Sequence, residues 1–327
     1  MRQIVLERPG CFVEQQARPP SHRADEALIR VRAVGICGSD FHAFAGTHPV
    51  YTYPRVIGHE ISGEVVEVLP NSRGINRSDR CAVEPYISCG KCRPCRLQRP
   101  NCCEKLQLLG VHLDGGLQGF LAVPIERLHK SDVLSLDQLA LIETLGIGAH
   151  AVARGAVTPG ENALVIGAGP IGLAVTQFAL AAGATVCVAE QSKQRRAFVH
   201  QFGVEVFESS ADRLADVVFD ATGNPESMEQ SLRSVAAAGR LVFVGLCRSA
   251  IPIDDPLLHV REVTLYASRN SCHQFPRVIS LIEQGKIDTT PWITDRLSLS
   301  DVPTHFGSLR NRPGLVKTIV EVQDKDL

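Results

Sequence analysis

Long apolar runs are missing from this chain. Among its 327 residues, no stretch approaches the roughly 18 consecutive apolar residues that a membrane span needs. An excess of one charge is missing too. The 34 basic and 35 acidic residues nearly cancel, which argues against a nucleic-acid surface or a polybasic membrane patch. Met1 to Cys11 carries charges at Arg2, Glu7 and Arg8 and lacks the apolar core of a signal peptide, so the expected location is the cytoplasm. There is no sequence repeat, low-complexity tract or long linker. Cysteine, by contrast, is plentiful: there are eleven, an odd number that leaves at least one unpaired. In a reducing compartment such a set points to metal binding or catalysis rather than disulfides. Cys89, Cys92, Cys95, Cys102 and Cys103 crowd one short stretch, while Cys11, Cys37, Cys81, Cys187, Cys247 and Cys272 are scattered. The length fits two domains, and 44% apolar residues suffice for globular cores.

Two halves differ in pattern. Up to about residue 145 the chain reads as short strands between turns, an irregular and largely β domain. Ala27–Val34 alternates partly, and Ile61–Leu69 is β-branched and closed by Pro70 and Asn71. After Pro159 and Gly160, apolar runs without alternation appear, as in strands buried on both faces. They are Ala163–Ile166, Thr185–Ala189, Asp216–Asp220, Arg240–Gly245 and Val263–Ala267. A helical pattern over Ile171–Ala182, closed by Gly183, lies between the first two. Alternating strand and helix predict an α/β domain with a parallel sheet and right-handed crossovers. A helix over Pro276–Gln284 and a strand over Val316–Val322 end the chain.

The sequence Gly167-Ala168-Gly169-Pro170-Ile171-Gly172 matches GxGxxG, a weak pattern alone. Here it follows a strand, opens a helix, and is followed 18 residues after Gly172 by Glu190 at the end of the next strand. Gly167 permits the tight turn, Gly169 lets backbone approach a pyrophosphate at the helix N-terminus, and Gly172 lets helix and strand pack closely. The competing reading is a glycine-rich turn with no ligand. Glu190 suits the ribose hydroxyls and repels a 2′-phosphate, favouring NAD over NADP. Arg195 and Arg196 weaken that inference unless they lie on a solvated helix face. Ala221-Thr222-Gly223 and Val244-Gly245-Leu246 end later strands, where ligands bind in open α/β sheets.

Cys89-x2-Cys92-x2-Cys95-x7-Cys103 is the strongest local signal. Four thiolates at short spacing can close a tetrahedron around a structural zinc, with Cys102 as the alternative to Cys103. A second set is dispersed: Cys37, His59 with Glu60, and Glu143. Thiolate, imidazole and carboxylate suit a catalytic zinc that keeps an open position. Spacing alone does not prove this, because a lone strand Cys is usually a core residue.

Taken together, these segments resemble the zinc-containing medium-chain alcohol and polyol dehydrogenases over nearly the whole chain. They are the glycine-framed Cys37, Gly58-His59-Glu60, the four-cysteine lobe and the dinucleotide turn, in that order. The resemblance implies a GroES-like catalytic domain of residues 1–144 and 271–327, with a Rossmann doubly wound domain, 145–270, inserted. It implies that Cys37, His59 and Glu143 bind catalytic zinc, with Glu60 a direct or exchangeable ligand, and that each chain holds two zinc ions and NAD. Ser39 matches the family's relay hydroxyl and His42 its relay histidine, although an exposed His42 without a role is the alternative. Asp40 is placed to orient the imidazole of His59.

Glu143, where classical members carry Cys, points to the branch acting on polyols and sugar acids. The segments Tyr53–Glu60, Gly110–Gly116 and Ser268–Asn270 sharpen that likeness. The expected chemistry is oxidation of a secondary hydroxyl by hydride transfer to the nicotinamide, with zinc as Lewis acid. Arg269 is a candidate for a substrate carboxylate or for the cofactor phosphate, whereas His112 and His273 read as structural. An amino-alcohol dehydrogenase and a non-catalytic zinc- and NAD-binding regulator are the alternatives. A homodimer or homotetramer is expected. Two departures stand out: Thr144 replaces a frequent Pro after the Glu, and the chain between Val206 and Asp216 is too short for the usual crossover helix.

Overall fold

The computed structural model describes residues 1–210 and 213–327. It divides into two compact units. The first comprises Met1–Glu143, Phe275–Glu283 and Thr289–Leu327; the second comprises Thr144–Gln274 and Gln284–Asp288. Residues 271–274 and 284–288 thus belong to the second unit. Asp288 is tied there by a reciprocal pair of bonds with the side chain of Gln177, at 2.8 and 2.9 Å.

The first unit is built on a seven-stranded sheet whose central strand is Glu26–Gly35. Glu60–Glu67 runs antiparallel along one of its edges. Two strands divide the other: Phe120–Pro124 pairs with residues 26–30 and Lys317–Glu321 with residues 33–35. Gly35 therefore has Ile319 beside it on one side and Glu60 on the other. This register brings the last strand of the chain to the start of the Cys37 segment. The core beneath includes Val34, Ile57, Ile61, Leu117 and Phe306, all with essentially no exposed surface.

The second unit holds a six-stranded parallel sheet. Its order is Glu205–Phe207, Thr185–Ala189, Asn162–Ile166, Ala215–Asp220, Val235–Phe243, Thr264–Ala267. The order reverses between Asn162–Ile166 and Ala215–Asp220, which is the switch point where open α/β sheets bind ligands. Ala163, Leu164 and Val165 are fully buried, as expected of a strand covered on both faces. Helix Pro170–Ala181 starts with Pro at its first position, where a missing N–H costs nothing.

Two sequence expectations shift. The strand expected over Arg240–Gly245 is Val235–Phe243, with a register break between Ala215 and Val217 on its neighbour. Its first half, Val235-Ala236-Ala237-Ala238-Gly239, lacks strand-favouring side chains beyond Val235, so pattern reading misses it. In the short crossover, residues 208–210 and 213–214 carry no helix, while 211 and 212 lie outside the described residues. No helix among the described residues is long and apolar enough to cross a membrane.

Candidate active site and metal centres

Cys37 precedes helix Gly38–Phe44, and His59 and Glu60 sit where strand Glu60–Glu67 begins. Ligand atoms of Cys37, His59 and Glu60 all lie within 4.8 Å of one another. The loop that delivers His59 is braced by glycines. The amides of Gly115, Gly116 and Leu117 donate to the carbonyls of Val56, Gly58 and Ile57 at 2.8–3.1 Å. A Cβ on Gly115 would stand 2.1 Å from the Gly58 carbonyl oxygen, so only glycine allows this approach. Asp114 completes the brace by accepting from the Val56 amide at 3.0 Å.

Asp40 is buried in the first turn of helix Gly38–Phe44. One of its oxygens accepts from the Cys37 amide at 2.9 Å, and the other faces His59 Nδ1 at 3.6 Å. Glu143 lies in the first turn of helix Ile142–Arg154, outside the 4.8 Å set, and is buried. Its charge is nevertheless felt at His59. Burial pushes the carboxyls of Asp40 and Glu143 above their usual range. Burial would lower His59, but Asp40 and Cys37 outweigh it and hold the imidazole well above its ordinary value.

Two partners escaped the sequence reading. Lys317 opens strand Lys317–Glu321 and is 2% exposed; its ammonium holds both oxygens of Glu60, at 2.6 and 2.7 Å. A lone Lys in the apolar run Val316–Val322, 257 positions from its partner, carries no local signal. Tyr86, also buried, donates its hydroxyl to Glu143 Oε1. The arrangement fits a divalent cation. A thiol, an imidazole and a carboxylate bring ligand atoms within 4.8 Å of one another, a donor set that suits zinc. Glu143 Oε2, buried and without a hydrogen-bond partner among the described residues, points the same way.

The four-cysteine lobe is the second centre. The Sγ atoms of Cys89, Cys92, Cys95 and Cys103 lie within 4.8 Å of one another. Cys92 stands 3.3 Å from Cys95 and 3.8 Å from Cys103. Tetrahedral zinc thiolates, with bonds of about 2.3 Å, need sulfurs about 3.8 Å apart. The amides of Lys91 and Cys92 pull the Cys89 thiol down to about 6, and those of Cys95 and Glu104 lower Cys92. Cys102 is exposed and outside the set.

In the second unit, Gly167 has φ +92, and a Cβ on Gly172 would fall 1.8 Å from the Gly167 carbonyl oxygen. Glu190 is buried at the end of Thr185–Ala189, and both of its oxygens accept from backbone: Ala168 at 2.7 Å and Ser192 at 2.8 Å. It braces the glycine turn, a duty the motif alone did not announce. The Arg195 guanidinium lies beside Gly169, within 4 Å of where a Cβ would be. Arg196 instead donates to the carbonyls of Glu190 and Gln191. Thr222 is fixed by Asp220, through its amide at 2.9 Å and its hydroxyl at 2.6 Å. The amides of Val244 and Gly245 donate to the Asp220 carbonyl, and Leu246 is 86% exposed. Pro170 and Ile171 form the first turn of the glycine-motif helix.

The remaining candidates are placed as follows. Ser39 and His42 share helix Gly38–Phe44 at i, i+3 spacing, which puts them on neighbouring positions of one face. His42 is exposed and its Nδ1 lies 3.2 Å from the Thr47 hydroxyl. Arg269 is exposed just beyond strand Thr264–Ala267. His112 accepts from the Leu108 amide at 3.1 Å, a turn contact, and His273 is exposed with φ +55.

A mixed thiolate, imidazole and carboxylate cluster, a four-thiolate staple and a dinucleotide turn at the switch point together define a zinc-dependent, NAD(P)-dependent alcohol dehydrogenase. Comparison with known proteins agrees. Residues 23–133 match the alcohol dehydrogenase GroES-like domain and residues 170–284 the zinc-binding dehydrogenase domain. The chain is similar to L-galactonate-5-dehydrogenase of Escherichia coli K12, 37% identical over 98% of both chains. Among solved structures it resembles a zinc-binding dehydrogenase of Sinorhizobium meliloti bound to NADP, with TM-score 0.91, 29% identity and 98% of each chain covered. It resembles equally RspB of E. coli CFT073 complexed with NADH, with TM-score 0.91, 28% identity, and 98% and 99% covered. The protein belongs to the zinc-type medium-chain alcohol dehydrogenase family.

Proposed function

We propose that the protein oxidises a secondary hydroxyl of a polyhydroxylated acid to the keto acid, with NAD as acceptor. The observation that carries this reading is the 37% identity to L-galactonate-5-dehydrogenase along essentially the whole of both chains. Cys37, His59 and Glu143 are the proposed catalytic zinc ligands, with Glu60, which lies in one 4.8 Å set with Cys37 and His59, a direct or exchangeable ligand; Cys89, Cys92, Cys95 and Cys103 are the proposed structural ones. A catalytic zinc supplies Lewis acidity that lowers the pKa of a hydroxyl, and the nicotinamide supplies the hydride acceptor.

The chain's own groups do the rest. Asp40 orients His59 from behind. Lys317 balances the charge of Glu60. In the proposed relay the Ser39 hydroxyl accepts the substrate hydroxyl proton as it releases its own to the His42 ring, and that exposed ring, one helical turn away, passes a proton to solvent. Glu190 supports NAD: a buried carboxylate beside the ribose site repels a 2′-phosphate. Thr222, Val244, Gly245 and Leu246 follow the ends of strands Ala215–Asp220 and Val235–Phe243 and are the proposed nicotinamide-side contacts. Arg269, exposed past the end of a strand of the same sheet, is the candidate guanidinium for the substrate carboxylate.

The test is a panel of hexonates, pentitols, sorbitol and threonine, each with NAD and NADP, followed by reduced-nicotinamide absorbance. A hexonate with NAD should give the highest kcat/KM, and Arg269→Ala should raise KM for the acid while sparing a neutral polyol of equal length. Sorbitol or threonine outpacing every sugar acid would overturn the substrate, and a clear NADP preference would overturn the cofactor.

A further inference from the structure

The two carboxylates at the catalytic cluster are held differently. Glu60 has both oxygens on one buried ammonium, Lys317. Glu143 has Oε1 on the Tyr86 hydroxyl and Oε2 on nothing among the described residues, although it is buried. A phenol has one proton to donate, so it engages one carboxylate oxygen and leaves the other. Tyr86 is itself fixed. It lies in strand Tyr86–Ile87, paired with Gln107–Leu108, and these two short strands close the base of the segment that carries the four cysteines. The residue is 3% exposed.

From this we infer that Tyr86 is the positioning residue for the catalytic metal: it locks Glu143 through Oε1 so that Oε2 alone is presented as a single-oxygen ligand. Glu60, whose carboxylate lies within 4.8 Å of the Cys37 and His59 ligand atoms, is charge-balanced by Lys317 and is the exchangeable ligand in the same arrangement. The inference rests on the reading of Cys37 and His59 as metal ligands. Groups that orient a ligand in this way typically change metal affinity by about 10–100-fold when removed. The hairpin geometry gives Tyr86 a second consequence: the four-cysteine lobe steadies the residue that steadies Glu143.

The experiment uses the full-length protein with zinc kept in the four-cysteine lobe and cobalt(II) titrated into the catalytic site. The readouts are the thiolate-to-cobalt charge-transfer band and the visible d–d bands, each taken as a difference from Cys37→Ser. Tyr86→Phe should keep the charge-transfer band, bind cobalt about 10–100-fold more weakly and change the d–d bands, because Glu143 is no longer held to one oxygen. In a Glu143→Gln background the same Tyr86→Phe change should alter affinity by less than about threefold, since the two act through one contact. A general packing defect at position 86 would persist in that background. Glu143→Gln alone should bind cobalt weakly, and this carries the test should Tyr86→Phe fold poorly. Wild-type affinity and spectrum in Tyr86→Phe, or wild-type affinity in Glu143→Gln, would overturn the inference while leaving the metal reading intact. A wild-type protein without any Cys37-dependent cobalt band would overturn both.

Discussion

Lys317 shows how one residue acts on a site from the far end of the chain. Its ammonium is buried, and burial lowers its proton affinity; Glu60 and the Cys37 thiol more than reverse this and keep it charged. The pair is a buried salt bridge, whose net worth against an apolar substitute is small. Removing one partner is another matter, because it leaves a buried charge alone. Lys317→Met should therefore cost about 3–5 kcal/mol in urea denaturation, and adding Glu60→Gln should return a large part of that loss. A Lys317→Met protein as stable as wild type would show that Glu60 finds another partner or is neutral. None of this was legible beforehand. His59, Glu60 and Cys37 stood out because metal ligands sit in glycine-framed motifs, whereas Lys317 sits in an ordinary apolar strand. Tyr86 was hidden for the same reason: nothing in Glu84-Pro85-Tyr86-Ile87 announces that its hydroxyl meets a carboxylate 57 positions away.

Elements were legible where local chemistry and tertiary role coincide. The glycine turn was readable because Gly167, with φ +92, and Gly172 answer backbone needs that no other residue meets, and the structure shows the tighter at Gly172. A methyl there would collide with the Gly167 carbonyl, forcing helix Pro170–Ala181 away from the turn. Gly172→Ala should cost about 1–3 kcal/mol of stability, the usual range for overpacking, and should weaken NADH binding in a fluorescence titration. Binding at wild-type strength would mean that the turn tolerates a wider helix approach and that Gly172 is not what sets it. The bracing duty of Glu190 toward Ala168 and Ser192 was not readable, since the motif places the residue but not its hydrogen bonds. The alanine-rich start of strand Val235–Phe243 was missed because its residues carry no strand preference and lie in the irregularity where pairing steps from Val235 opposite Ala215 to Arg240 opposite Val217.

At the scale of the whole molecule, the metal sites are unevenly distributed. Both clusters of metal-ligating side chains among the described residues belong to the first unit, Met1–Glu143 with its C-terminal additions. The lobe offers four thiolates and closes on itself, while a catalytic ion at the proposed Cys37 site would keep a position for substrate. These differences predict unequal behaviour. The purified protein should contain two zinc ions per chain by elemental analysis. Mild chelation should take one and abolish activity, with hydrogen exchange largely unchanged. Stronger chelation, or Cys92→Ser, should take the other and raise exchange around residues 86–108, because structural metal binding is coupled to local folding. Exchange in the dinucleotide sheet, strands 162–166 and 215–220 above all, should stay at its starting level through both steps, since among the described residues no such cluster lies in that unit. If the lobe's ion leaves first, or if the parallel sheet loosens together with the loss of the first ion, the assignment of one structural and one exchangeable centre is wrong.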